Sequence, residues 1–293
     1  MKNQIKSALN EYASHITGGE LVDESHFYDF RQNIFSGEMD ERFKKMFVAG
    51  DGNELVAKAA AVNSSSMLGY NFFHWIDKES PLTIDSVEYN EVLFEVKIPV
   101  LKGTTPANMD IVLKSNAGDY MFIESKFLEY LKADSFKFSD TYMDKDAPQK
   151  YYCHGEEWAS FIKGFDHTQK GVYWSGIKQE ICHMIGLTNW LNGGPGIGDG
   201  EKYSGSGNIR FINLVFEPNH VYVSDHKKFV SYMNLYNAFH SKLSNASWVP
   251  RNVRIEFKTY SEIWPNIVSS KLPAGLEKYL FDHYMKFAEG ASI

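Results

Sequence analysis

The sequence predicts an α/β fold with a central mixed β-sheet between layers of helices, and two patterns carry this prediction. Three extended segments follow one another between residues 91 and 127, separated by turn-forming stretches. Further along, residues 208–260 pass from an apolar strand through an amphipathic helix to a second strand. A β-meander followed by strand, helix and strand is typical of a three-layer α/β sandwich.

Length and composition limit how the chain is organised. With 293 residues, 43% of them hydrophobic and 15% aromatic, it can bury a large core as one elaborated domain or two. We predict a helical amino-terminal elaboration over residues 1–80 that packs on an α/β core over residues 81–293. Two insertions are expected in that core, at about 131–170 and 192–207.

The sequence offers no sign of export or membrane insertion. No apolar run approaches the length of a membrane span, and residues 1–7 lack the apolar core of a signal peptide. Two cysteines, Cys153 and Cys182, exclude a disulfide scaffold and suit a reducing compartment. We therefore expect a cytoplasmic protein with no membrane partner.

The amino-terminal half predicts helices and then a first core strand. Residues 1–50 are helix-like with polar interruptions, and the aromatic run Met67–Ile76 predicts a further helix with Asn63 or Ser64 as its N-cap. In Glu91–Val100, apolar residues alternate with charged ones, as in a half-buried strand. Glu95 is a candidate third acidic group near a metal, although a solvent-facing strand side explains the same alternation.

The most informative stretch is a predicted β-hairpin. Residues 109–114 and 120–127 are extended, and the stretch between them contains the turn residues Asn, Gly and Asp. Because side chains alternate along a strand, Glu124 and Lys126 share a face, and the hairpin register can set Asp110 beside them. Neighbouring carboxylates repel unless a divalent cation lies between them, and Mg²⁺ favours such oxygen ligands.

A simpler interpretation is a surface hairpin with solvated charges. Glu and Lys at alternate positions on an exposed strand often form nothing more than an ion pair.

The arrangement of Asp110 and Glu124-Ser125-Lys126 resembles the PD-(D/E)XK nuclease superfamily, which has the restriction-endonuclease-like fold. The match covers about 21 residues, and Asp110 is preceded by Pro106-Ala-Asn-Met instead of directly by proline. The resemblance implies a restriction-endonuclease-like core and a Mg²⁺ ion, with Mn²⁺ as a substitute. It also implies Asp110, Glu124 and the Ser125 carbonyl as metal ligands, with Lys126 orienting or deprotonating the attacking water.

A helix predicted at about residues 176–190 supplies another candidate. Its buried stripe consists of Ile177, Ile181, Met184, Ile185 and Leu187. Several branches of the superfamily place a Gln, often beside a Lys, on the helix after the Glu-x-Lys strand, and Lys178-Gln179 resembles that feature. Gln179 would then position Lys126 or a phosphate, although a glutamine on a helix surface is unremarkable by itself.

Two other motifs predict less. The glycine-rich run at 193–200 lacks the strand and the Gly-Lys-Ser/Thr ending of a phosphate loop, so we interpret it as a surface loop. Cys153-His154 and Cys182-His183 supply four zinc-type ligands, but neighbouring residues on a helix point about 100° apart, which argues against a shared ion. A strand at 208–216, helix at 225–242, strand at 254–260 and helix at 276–285 complete the prediction.

Two classes of function follow from this sequence. The first, which the resemblance implies, is a metal-dependent endonuclease that hydrolyses DNA, of restriction-like or prokaryotic defence type. The resemblance also suggests a homodimer, which is common among such enzymes. The alternative is a catalytically inactive module of the same fold that binds nucleic acid or protein. Because the net charge is -7, any DNA contact must be local.

Overall fold

A computed structural model describes residues 3–18, 21–23, 25–50, 55, 58–132, 138–164 and 174–291.

A small antiparallel ribbon precedes a five-stranded mixed sheet. The ribbon joins β1 (Leu82–Ile84) to β2 (Val87–Tyr89). The sheet contains, in both chain order and spatial order, β3 (Glu91–Ile98), β4 (Ala107–Lys114), β5 (Tyr120–Lys126), β6 (Ile209–Val215) and β7 (Val253–Thr259). Neighbours among β3, β4 and β5 are antiparallel, whereas β5, β6 and β7 are parallel.

Helices flank this sheet in the described part of the chain. They are α1 (Gln4–Ile16), α2 (Glu41–Ala49), α3 (Ser65–Phe73), α4 (Ala147–Lys150), α5 (Gly155–Lys163), α6 (Trp174–Leu191), α7 (Val223–Ser244), α8 (Tyr260–Val268) and α9 (Leu276–His283). The Ser64 side chain caps α3 by accepting the backbone N–H of Met67 at 3.3 Å, which satisfies one of the unpaired donors at the helix start.

Alternate side chains of β5 identify the helices on each face of the sheet. The Ser125 hydroxyl lies 3.0 Å from the carbonyl oxygen of Ser65 in α3 and 2.7 Å from the hydroxyl of Tyr260 in α8. On the opposite face, Lys126 donates to Gln179 of α6. Phe257 of β7 contacts the ring of Tyr232 in α7. The molecule is therefore a three-layer sandwich, as predicted.

Burial on both faces explains why the central strands are so apolar. Val112, Leu113, Met121, Phe122 and Ile123 are each at most 1% exposed. Burying such a side chain contributes about 1.5–3 kcal/mol relative to leaving it in water. The packed strands β4 and β5 thus form a rigid support for the side chains at their ends.

The sequence prediction and the structure agree on most elements. The fold class, the hairpin, the helix that follows Ser64 and the strand–helix–strand succession are confirmed. Three elements were not predicted: the ribbon at 82–89, the short helix α4, and α8, which follows β7 without a loop. The boundary at residue 80 stays a prediction, and α3, on its amino-terminal side, packs directly on β4 and β5.

Candidate active site

Three acidic residues occupy one row across neighbouring strands. Pairing of Phe94 with Ile111 and of Val96 with Met109 places Glu95 across from Asp110 in the register. On the other side of β4, Ile111 pairs with Ile123 of β5. Because these strands are antiparallel, the next position in this register sets Asp110 across from Glu124. Asp110 and Glu124 therefore share a side of the sheet, and Glu95 lines the same cleft as Asp110.

The backbone is irregular at this row. Glu95 has a positive φ of 51°, unusual for a residue with a side chain, and it interrupts the pairing of β3 with β4. Between β4 and β5 the regular pairing ends at Ile111. There the N–H of Ser125 donates instead to Oδ2 of Asp110 at 2.8 Å. Such outliers are often kept where a functional site needs a particular arrangement.

Glu124 and Lys126 form a buried ion pair, as expected for two residues on one strand face. Nζ of Lys126 donates to Oε1 of Glu124 at 2.5 Å and to Oε1 of Gln179 at 3.0 Å. Glu124 is 0% exposed and Lys126 is 7% exposed. The interpretation of this hairpin as a surface with solvated charges is therefore wrong.

Burial and mutual repulsion perturb the titration of these groups. Burial, followed by the charge of Glu124, raises the pKa of Asp110 to about 7. Burial also raises the pKa of Glu124, although Lys126 opposes that shift. Burial alone would lower the pKa of Lys126, but Glu124 and Asp110 outweigh it and raise that pKa. Lys126 therefore stays an ammonium ion.

His183 lies in the same site, four residues after Gln179 on α6. Its Nε2 lies 2.9 Å from the carbonyl oxygen of Asn108, and its Nδ1 lies 3.4 Å from Oε2 of Glu124. Burial lowers the pKa of His183 to about 4, so the ring is neutral. The sequence prediction considered this residue only in the zinc alternative, and its helical spacing from Gln179 was the signal for its presence in this site.

Four of the residues described above line one cleft of about 510 Å³, whereas Glu124 and Lys126 are not among its lining residues. Asp110, Glu95, Gln179 and His183 contribute to its wall, together with Lys58, Val100, Thr105, Pro106, Ala107, Asn108, Tyr142, Lys178 and Cys182. Glu95 is 8% exposed, so its interpretation as a solvent-facing residue is wrong. Its role near a metal stays a prediction, as does that of the Ser125 carbonyl.

The chemistry of the site fits a hard divalent cation held by few protein ligands. Among the described residues, no group of three or more His, Cys, Asp and Glu side chains is gathered around one point. Mg²⁺, however, usually keeps several waters and takes only one or two carboxylates from the protein. Oε2 of Glu124 is buried and has no hydrogen-bond partner within the described part of the chain. The carboxylate of Asp110 lies on the next strand.

The two Cys-His pairs have separate surroundings. The thiol of Cys153 donates to Asn189 at 3.4 Å, whereas Cys182 lies 3.7 Å from the hydroxyl of Tyr142. The zinc alternative therefore receives no support from the residues that are described.

The mixed sheet flanked by helices and the acidic row with its buried lysine are consistent with a restriction-endonuclease-like class of protein. The sequence profile of the family described as Restriction Endonuclease associating with ARP matches residues 2–185. Because that match covers more than half of the chain, the protein belongs to this family. The matched region includes every residue of the candidate site.

No curated protein and no solved structure matched the chain. Within the described residues, no helix is both long enough and apolar enough to cross a membrane.

Proposed function

We propose that the protein is a divalent-metal-dependent endonuclease that hydrolyses DNA phosphodiester bonds through a PD-(D/E)XK site. One observation carries the proposal most strongly. The Glu124–Lys126 ion pair is buried next to Asp110, beside a cleft that is open to a substrate. Burying two charges is costly, and an arrangement of this kind with perturbed pKa values is characteristic of functional sites.

Asp110 and Glu124 would hold a Mg²⁺ ion, or Mn²⁺ in its place, with the carbonyl of Ser125 and Glu95 as further predicted ligands. A divalent ion in such a site acts as a Lewis acid on the phosphoryl oxygen and lowers the pKa of bound water. Burial, and then repulsion from Glu124, raise the pKa of Asp110. This supports the role, because a cation between the two carboxylates relieves that repulsion.

Lys126 supplies a fixed positive charge at the site. Since its pKa is raised, we assign it to orienting the attacking water and offsetting negative charge on the phosphate in the transition state. Gln179 accepts a hydrogen bond from the Lys126 ammonium group and so fixes its direction. A preorganised donor of this kind costs little reorganisation during the reaction.

The remaining expectations concern partners. The acidic chain requires its DNA contacts to be local, and Lys58 and Lys178 lie on the wall of the cleft where they can face phosphates. The family description names association with ARP, which makes ARP a candidate partner. The homodimer, the cytoplasmic location and the role in prokaryotic defence stay predictions.

The test is cleavage of supercoiled plasmid DNA, phage DNA, single-stranded DNA and RNA with Mg²⁺ or Mn²⁺. We expect cutting of DNA with metal, and none with EDTA or with the Lys126→Ala protein. Intact protein that neither binds metal nor cuts any of these substrates would contradict the proposal. The alternative of an inactive binding module would then take its place.

A further inference from the structure

A second cleft, of about 350 Å³, adjoins the cleft of the candidate active site. Lys58 lines both clefts, so they meet at this residue. The segment that follows β5 forms one part of the wall of the second cleft, and the serines at the start of α3 form another. The Ser125 hydroxyl of β5 lies 3.0 Å from the carbonyl oxygen of Ser65 in α3, which ties this wall to the strand of the active site.

The wall of the second cleft is positively charged, unlike the chain as a whole. Lys6 of α1, Lys58 and Lys132 line it, and they come from segments far apart in the sequence. Among its described lining residues Glu129 is the one acidic side chain, and its carboxylate accepts the backbone N–H of Phe127 at 2.5 Å. Three lysines and one carboxylate thus line this cleft in a chain whose net charge is -7.

This gathering of lysines indicates an anionic ligand. Within the described part of the chain, Lys6 and Lys132 form no ion pair. Like charges around one cavity repel each other, so the arrangement becomes favourable when an anion enters.

The shape of the two clefts indicates a long anion instead of a single small one. The second cleft meets the active-site cleft at Lys58, so one extended ligand can pass from one to the other. Each strand of duplex DNA carries one phosphate per roughly 3.4 Å of helix axis. Neighbouring phosphates of one strand can therefore occupy neighbouring clefts.

The first turn of α3 supplies further donors to this wall. Backbone N–H groups at the start of a helix have no carbonyl partner within the helix and carry partial positive charge. The Ser64 side chain accepts the N–H of Met67, while Ser65 and Ser66 also line the cleft. Together with lysines, hydroxyl groups and backbone N–H groups are the usual partners of DNA phosphates.

We propose that the second cleft binds the DNA backbone beside the phosphodiester bond that is cut. Lys6 and Lys132 contact phosphates there, and Lys58 lies between those phosphates and the one at the metal site. This inference rests on the proposed function and adds to it the path of the substrate outside the active-site cleft. Because backbone contacts carry no sequence information directly, the second cleft contributes affinity and position and leaves base recognition to other residues.

Two double variants of equal charge separate this cleft from general electrostatics. The cleft variant combines Lys6→Gln with Lys132→Gln. The control combines Lys163→Gln with Lys271→Gln, at two exposed lysines that line neither cleft. Each substitution removes one positive charge, so both variants change the net charge from -7 to about -9. Thermal unfolding establishes that both are folded.

The test is fluorescence anisotropy of a labelled DNA duplex with the full chain in EDTA, over a range of salt concentrations. We expect the cleft variant to bind at least about tenfold more weakly than the wild type at low salt, and the slope of log affinity against log salt to shrink by about 1.8. The control variant should stay within about twofold of the wild type. In Mg²⁺, the cleft variant should show a raised KM for cleavage and a kcat within a few-fold of the wild type.

Equal DNA affinity and equal salt dependence in the two double variants would overturn this inference, and metal-dependent cutting by the wild type would still support the nuclease. A wild type that cuts no DNA with any metal, while the cleft variant shows the expected loss of affinity, would have the opposite meaning. The cleft would then stand as a DNA-binding site, and the proposed nuclease would fail.

Discussion

At the scale of single residues, burying the Glu124–Lys126 ion pair lowers the stability of the fold compared with apolar residues at the same positions. Both side chains are buried, so each charge depends on the other and on Gln179. Removing one partner leaves an uncompensated charge, whereas replacing both with apolar residues removes the desolvation cost. The structure of the pair is therefore better explained by function than by folding.

This argument predicts opposite effects for single and double substitutions. Lys126→Met should lower the free energy of unfolding by about 3 kcal/mol, because Glu124 is left buried and unpaired. The double variant Glu124→Leu with Lys126→Met should be as stable as the wild type or more so. Urea unfolding measures both, and a double variant less stable than Lys126→Met would contradict the argument.

Gln179 offers a test of positioning that leaves the fold alone. Its side chain is exposed apart from the hydrogen bond to Lys126, so Gln179→Ala should change stability by less than about 0.5 kcal/mol. We expect kcat for DNA cleavage to fall about tenfold or more, because Lys126 loses the group that directs it. Gln149→Ala, at an exposed position on α4, is the control. Equal rates in the two variants would remove Gln179 from the site.

At the scale of elements, α3 packs closely against the hairpin on the face of the sheet opposite to α6, and this packing fixes the strands that carry Asp110 and Glu124. A Cβ atom at Gly69 would lie 2.8 Å from Cδ1 of Ile111 and 3.3 Å from the hydroxyl of Ser125. Ser125 and Ile111 adjoin Glu124 and Asp110 in the chain. The position of the site therefore depends on the close packing of α3, which leaves no room for a side chain at Gly69.

Gly69→Ala should destabilise the protein by about 1–3 kcal/mol through overpacking. Ile111→Val removes the Cδ1 atom that would clash, so the double variant Gly69→Ala with Ile111→Val should recover part of the loss. Thermal unfolding compares the four proteins. If the stability changes of the two single variants simply added up in the double variant, the contact between residue 69 and Ile111 would not be the cause of the destabilisation.

The elements that sequence predicted are those with a strong local signal. The hairpin has clear alternation and turn residues, and α6 and α7 have long apolar stripes. The ribbon at 82–89 was missed because its strands have three residues each and its turn uses Asp85 and Ser86, both with positive φ. Helix α8 was missed because it starts directly at the end of β7 and contains Pro265.

The site was predictable only in part for a related reason. Alternation along β5 was enough to put Glu124 and Lys126 on one face. The alignment of Glu95 with Asp110 depends on the register between strands and on a positive φ, neither of which is encoded in one segment. The approach of His183 to Glu124 depends on how α6 docks on the sheet, which is a tertiary property.

At the scale of the whole molecule, the proposed metal binding should be linked to proton binding and to stability. The raised pKa of Asp110, about 7, means that the folded protein without metal holds a proton where the unfolded chain is ionised. Ionisation of this group therefore lowers the free energy of unfolding as the pH rises from the pKa of Asp110 in the unfolded chain toward 7. A cation at the site competes with that proton.

The apparent affinity for Mg²⁺ or Mn²⁺ should consequently rise about tenfold between pH 6 and pH 8. The increase in melting temperature that metal produces should grow over the same range. Differential scanning fluorimetry at several metal concentrations measures both. Asp110→Asn, which cannot titrate, should lose most of this dependence, and a metal effect independent of pH would contradict the assignment of Asp110.

The central claim is that Lys126, Glu124 and Asp110 form a hydrolytic site, and a comparison of two buried cations tests it most directly. Arg210 is 6% exposed, and its side chain is paired with Glu256 at 2.8 Å. It lies near the start of β6, whereas Val215, which pairs with Lys126, lies at the end of that strand. Arg210→Met therefore breaks a buried ion pair as Lys126→Met does, but away from the cleft.

The measurement is the rate of plasmid cleavage in Mg²⁺ by the wild type and both variants, at a temperature where all three are folded. We predict that Lys126→Met loses at least about 100-fold in rate, while Arg210→Met stays within a few-fold of the wild type. Cleavage by Lys126→Met at the wild-type rate would contradict the account.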